Sequence, residues 1–168
     1  MFARVSKTPA VQALARRLER GGALSCAGVA TPAQPFLAAV LHRIFPGRPI
    51  VVVTDGLKTQ ESIQQDLETW LASKAEARSP KLEASIPQPL FYPAWEVLPH
   101  EGRLPHLDVI SDRLQTLMAL AAQSEISNLK SAIIVANVTA LLQRTFPPEE
   151  LRRRTRTLAR GERADPVD

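Results

Sequence analysis

Residues 49–55 read Pro-Ile-Val-Val-Val-Thr-Asp, and a helix-periodic stretch follows directly after Gly56. An unbroken β-branched run of this kind belongs to a strand covered on both faces, so 49–55 is expected to be a central parallel strand. Beyond it, Ile63, Leu67, Trp70 and Leu71 recur at helical spacing, with Gln64, Gln65 and Glu68 opposite them. Strand then helix is half of a βαβ unit, and the rest of the chain repeats the theme. Upstream, Val11, Leu14, Ala15 and Leu18 mark one face of a helix that Gly21-Gly22 ends. The stretch 23–30 (ALSCAGVA) reads as a short buried strand, and Phe36, Leu37, Val40, Leu41 and Ile44 form the stripe of a second helix that Pro46-Gly47 closes. Downstream, 73–88 reads as a polar loop and LFYPA (90–94) as a third strand, within a stretch whose prolines forbid a continuous helix or inner strand over 87–105. A helix from Asp108 carries Ile110, Leu114, Leu117 and Ala121. SAIIVAN (131–137) is a fourth buried strand, Asn137 caps a short helix with Leu141 and Leu142, and a further strand is expected at 154–159. The expected fold class is α/β, an open, mainly parallel sheet with helices on both faces.

The composition agrees. A chain of 168 residues, 45% apolar and 23% charged, suits one soluble domain with a real core and excludes fibrous and disordered classes. No apolar run approaches the roughly 20 residues of a membrane-spanning helix, so no membrane partner and a cytoplasmic setting are expected. Cys26 is the single cysteine, which excludes an internal disulfide and a cysteine-cluster zinc site; within its expected strand it reads as buried and inert. Charge is unevenly placed. Residues 144–163 hold seven arginines against Glu149, Glu150 and Glu162, a local +4 that equals the formal charge of the whole chain. Any electrostatic contact with nucleic acid is therefore expected at Arg152, Arg153, Arg154 and Arg156. The alternative reading of those arginines is a solvated edge strand protected by its charge.

In a parallel α/β domain the turn after the first strand is the usual phosphate cradle, because backbone N–H groups at a helix start face the anion. Here that turn runs from Gly28 to Pro35. A working loop needs Gly-x-x-x-x-Gly-Lys-Ser/Thr, and registered on Gly28 this chain offers Ala33 for the second glycine, Gln34 for the lysine and Pro35 for the hydroxyl. Each lost charge-assisted contact to a triphosphate is worth about 2 to 3 kcal/mol, so nucleotide hydrolysis has no support. Gly56-Leu57-Lys58-Thr59 also opens a helix after a strand but lacks the neighbouring glycines. His100-Glu101 and His106-x-Asp108 have no third partner for a metal, and no Gly-x-Ser-x-Gly elbow exists. Phe91, Tyr92 and Trp95, interleaved with prolines, fit packing better than base stacking.

The stretches 91–120 and 133–151 carry more than periodicity. Pro93 to Trp95, then Pro105-His106-x-Asp108-x-Ile110-Ser111-x-Arg113, then Thr139-x-x-Leu142-Gln143 resemble the N-terminal module of the bacterial transcription-repair coupling factors. That module is similar to the first domain of the excinuclease B subunit, so the resemblance implies a RecA-like domain over 1–150 in which Gly28, Ala33, Gln34 and Pro35 are a decayed phosphate loop. It further implies that 151–168 is a basic strand and the start of an inserted domain that recruits the damage-recognition subunit UvrA. ATP, magnesium, RNA polymerase and DNA would then engage other parts of a larger parent, an ATP-dependent DNA translocase, and no cofactor or catalytic residue is expected here. The family's sheet is completed by later strands, so an open apolar sheet edge and some tendency to associate are expected. Two other readings stand beside this one: an ATP-binding first domain of an excision helicase, and a DNA-binding module using Arg152 to Arg163.

Overall fold

The computed structural model describes residues 1–72, 88–98, 100–121, 132–156 and 161. Its helices are α1 (Phe2–Val5), α2 (Pro9–Arg20), α3 (Gln34–Ile44), α4 (Leu57–Ala72), α5 (Leu107–Ala121), α6 (Val138–Leu142) and α7 (Pro148–Arg154). The strands are β1 (Ile50–Thr54), β2 (Leu90–Tyr92) and β3 (Ile133–Asn137). They form one parallel sheet in the order β1-β3-β2. Ile50 lies opposite Ile133 and Thr54 opposite Asn137, while Leu90 to Tyr92 pair with Ile134 to Ala136.

This register sorts the side chains into two cores, one on each face. Ile50, Val52, Ile133 and Val135 meet Ala39 of α3 and Ile63, Leu67 and Leu71 of α4. On the other face Leu90, Tyr92, Ile134 and Ala136 meet Leu117 and Leu120 of α5 and Ala140 of α6. The chain thus travels from β1 across the sheet to β2 on the α4 side and comes back to the middle on the α5 side. Reversing both direction and face keeps the two crossovers of one hand. The helices on both faces and the parallel sheet are as the sequence predicts. The first core is sealed by an aromatic trio, with the Phe36 ring centroid 5.0 Å from Phe2 and 4.9 Å from Trp70, and by the Arg43 guanidinium 3.4 Å from the Phe2 centroid.

Three expectations need correction. Residues 23–30 form no strand; Cys26 is exposed, and the segment turns on a hydrogen bond from the Val29 N–H to the Cys26 carbonyl at 3.0 Å. Six of its eight residues are Ala, Ser, Cys or Gly, which have little side chain to bury against a sheet. Second, among the described residues β1 lies at an edge of the sheet and not at its centre, with Val51 and Val53 54% and 52% exposed on the α5 side, where the core cluster draws on β3 and β2. Third, no strand begins at 154: Arg154 ends α7, whose Leu151 is buried and whose Arg152 donates to the Ala121 carbonyl of α5 at 2.8 Å. Residues 157–160, and all but Gln88 of the loop expected at 73–88, lie outside the described residues. Among the described residues no helix is long and apolar enough to cross a membrane.

Candidate functional site

In an open parallel sheet, ligands settle beyond the carboxyl ends of the strands. Between β1 and β3 that end is occupied by the protein's own polar groups. Gln60, fully buried on the first turn of α4, donates from Nε2 to the Val135 carbonyl at 2.9 Å and accepts at Oε1 from Asn137 Nδ2 at 2.7 Å. Asn137 caps α6 by accepting the Ala140 N–H at 2.8 Å, as the sequence predicts. The Thr54 hydroxyl donates toward the Gly56 carbonyl at 3.1 Å and the Ala136 carbonyl at 3.4 Å. These side chains bind one another and the main chain, which fixes the strand ends.

At the end of β2 the organising residue is Arg113, which has no exposed surface. Its guanidinium carbon lies 4.2 Å from the Tyr92 ring centroid and 4.3 Å from that of Trp95, a cation held between two aromatic faces. Nη1 donates to the Pro93 carbonyl at 2.6 Å and reaches Gln143 Oε1 at 3.5 Å, and Nη2 donates to the Tyr92 hydroxyl oxygen at 2.8 Å. Gln143 in turn grips the Trp95 main chain from both sides, accepting its N–H at 2.6 Å and donating to its carbonyl at 3.1 Å. Among the described residues Arg113 has no ion-pair partner and its Nε no acceptor. Burial pushes its pKa below the usual arginine value and the Tyr92 oxygen counters this, so the group stays a cation.

The structure therefore brings Trp95 and Arg113 together and leaves the other signature residues outside the clamp. Pro105 is half-buried, and the His106 N–H donates to Glu96 Oε1 at 2.6 Å, anchoring the start of α5. His106 Nδ1 and Asp108 Oδ2 are 3.4 Å apart and largely exposed. No group of three or more metal-ligating side chains occurs among the described residues. Gly28 has an ordinary backbone and a Cβ there would meet nothing within 4 Å, so nothing approaches it closely. Thr31–Ala33 make a short 3-10 turn, Gln34 opens α3 with an exposed side chain, and Pro35, buried beside it, has no N–H to give. With no lysine, no hydroxyl after it and no preceding strand, residues 28–35 do not fit a triphosphate and magnesium. Of the four basic candidates, Arg152 is tied to Ala121 and Arg154 to Glu150 Oε1 at 2.8 Å, while Arg153 and Arg156 are exposed.

Gln60 was not singled out by the sequence, which offered Tyr92 as a packing aromatic and Gln143 as the end of a resembling motif. Gln60 carried one signal: it falls three residues before Ile63 and seven before Leu67, on the buried stripe of α4. A shallow groove of about 410 Å³ runs over Pro89, Leu90 and Phe91 between α4 and α5, with Glu61, Glu68 and Asp112 on its walls. Partial burial, and then the neighbouring Asp108 charge, raise the Asp112 carboxyl above its ordinary pKa.

Fold and site together define an open parallel α/β domain whose strand ends are closed by structural polar groups. In sequence, the chain is 25% identical over 132 residues to the transcription-repair-coupling factor of Haemophilus influenzae (strain ATCC 51907 / DSM 11121 / KW20 / Rd), a match that takes in 79% of this chain and 11% of that protein. The relationship is a distant one, and the chain spans about a tenth of that relative's length. No family model matches the chain, and no solved structure matches it.

Proposed function

We propose that the chain is a RecA-like scaffold domain that binds no nucleotide, in a protein related to transcription-repair coupling factors. The distant relationship supports a role connected with DNA repair. The observation that carries the scaffold reading is the engagement of the polar side chains at the strand ends: Gln60, Asn137, Thr54, Arg113 and Gln143 each hydrogen-bond one another or the main chain and so hold the fold. Residues 28–35 add to it, since Gln34 and Pro35 replace the cation and the hydroxyl that a triphosphate needs. On this reading the domain positions other modules of its parent, among them a surface that recruits UvrA, while translocation on DNA and contact with RNA polymerase belong elsewhere in that parent. A cytoplasmic setting goes with it.

Titrating the 168-residue chain with a fluorescent ATP analogue, with and without magnesium, tests the proposal. The expected result is no saturable signal. Magnesium-dependent binding in the low-micromolar range overturns it in favour of an ATP-binding helicase domain.

A further inference from the structure

Residues 1–20 hold Arg4, Lys7, Arg16, Arg17 and Arg20 against Glu19 alone, a local +4 as large as that of residues 144–163. The rest of the chain has nine basic residues against thirteen acidic, so positive charge is gathered at two places and the body between them is net negative. The C-terminal place is partly engaged, since Arg152 holds the Ala121 carbonyl and Arg154 holds Glu150. At the N-terminal place, none of the five cations has an acidic partner among the described residues. Packing and hydrogen bonds orient this segment. Phe2 lies against Phe36, Trp70 and the Arg43 guanidinium, which fixes α1 to the domain. Gln12 Nε2 donates to the Ser6 carbonyl at 2.6 Å and the Thr8 hydroxyl to the Val5 carbonyl at 2.8 Å, which fixes the turn from α1 into α2. On α2, Ala15 is buried and Val11, Leu14 and Leu18 are half-buried, whereas every other residue of the helix is exposed. Helical spacing sets Arg16, Arg17 and Arg20 opposite that apolar stripe, so the outward face of α2 is its arginine face.

We propose that the arginine face of α2, with the exposed Arg4 and Lys7 before it, binds the phosphodiester backbone of duplex DNA without regard to base sequence. A helix C-terminus favours cations, which accounts for Arg17 and Arg20. Arg16 and Arg20, however, stand four residues apart and Arg17 and Arg20 three apart, spacings at which like charges repel. A row of phosphates reverses that repulsion, giving each guanidinium a counter-charge and releasing the counterions held by the nucleic acid. Pro9 and Ala13 share the face and are too small to hold a backbone off it. The occupant follows from what the face lacks. Its apolar stripe is turned to the domain, and a lipid surface would need that stripe free. α2 has no aromatic residue on which the bases of a single strand could stack, so the double helix is the polyanion that fits. The choice of DNA rests on the repair-related reading above, but the contact involves no nucleotide site, so a negative result here and a positive ATP titration are separate outcomes.

Fluorescence anisotropy of a short labelled DNA duplex titrated with the 168-residue chain, repeated over a range of salt concentrations, tests this. Duplexes of unrelated sequence should bind equally, and the logarithm of affinity should fall linearly with that of salt, with a slope of about −2.7 to −4.5 for three to five neutralised phosphates. Arg16→Gln, Arg17→Gln and Arg20→Gln together should flatten the slope by about 2.7 and weaken binding at low salt by about tenfold or more. Arg16→Lys, Arg17→Lys and Arg20→Lys together keep the charge and should keep both slope and affinity. Should the glutamine variant lose its native circular dichroism, the single glutamine substitutions carry the test, each flattening the slope by about 0.9. The proposal is overturned by any of five results: no saturable binding at low salt, a slope indifferent to the glutamine substitutions, an equal loss in the lysine variant, tighter binding to phosphatidylserine vesicles than to the duplex, or binding that depends on Arg153 and Arg156 in place of the α2 arginines.

Discussion

Arg113 is a cation kept inside an α/β domain by ring faces and carbonyl oxygens rather than by a carboxylate. Removing a cation from water is costly, and each charge-assisted hydrogen bond returns about 1.5 to 3 kcal/mol of that cost. Truncation to alanine leaves the Pro93 carbonyl and the Tyr92 hydroxyl unpaired around a cavity. Arg113→Ala should therefore cost about 3 kcal/mol or more in urea unfolding, and Arg113→Lys about 2 kcal/mol, because an ammonium cannot fork or stack. A change under about 0.5 kcal/mol for the alanine variant contradicts the clamp. Sequence reading finds Arg113 only as part of a motif. It stands three residues after Ile110 and four before Leu117, on the apolar stripe of α5, but an arginine at such a position ordinarily bends out to water.

At the scale of elements, Gln60 ties α4 to the central strand. Gln60→Ala leaves Asn137 Nδ2 without its acceptor in a buried place and should cost about 1 to 3 kcal/mol in chemical denaturation. Combined with Asn137→Ala, the loss should be smaller than the sum of the two single losses, because the residues share one network. An additive double variant argues that they act separately. The contrast within this pair shows what a sequence reveals. The Asn137 cap is legible because its partner, Ala140, lies three residues on. The bond to Gln60 joins residues 77 apart and leaves no local trace. The strand reading of 23–30 failed for a related reason: small apolar residues satisfy a hydrophobicity pattern without supplying the side-chain area that holds a strand in a sheet. The composition of 49–55 is that of a strand walled on both sides. Where it sits depends on how many neighbours the described chain provides, and periodicity does not count neighbours.

For the molecule as a whole, the alternation of strands and helices was legible and the completeness of the layers was not. The α3 and α4 side covers β1 and β3, while the α5 side stops short of β1. Stability against pH is a property at this scale, and Asp112 sets one part of it. Its carboxyl is raised by burial and by Asp108, so the folded state holds a proton there more tightly than the unfolded chain, whose aspartates titrate near about 3.9. That contribution is fully present below the unfolded value and is lost as pH rises through the raised one. At neutral pH the charged form opposes folding. Asp112→Asn should raise Tm at pH 7 and leave it nearly unchanged at pH 3, and an equal gain at both values refutes the assignment.

Trp70 and Trp95 are the chain's two tryptophans, and the sheet stands between them. Trp70 lies against Phe2 and Phe36 among the helices on the α4 side, while Trp95 stacks on the guanidinium of α5. Each indole is thus an optical reporter of one layer. Emission from a Trp95→Phe protein follows the loosening of the N-terminal layer, and emission from a Trp70→Phe protein follows release of the clamp, so the order in which the two sides melt is readable without any added dye.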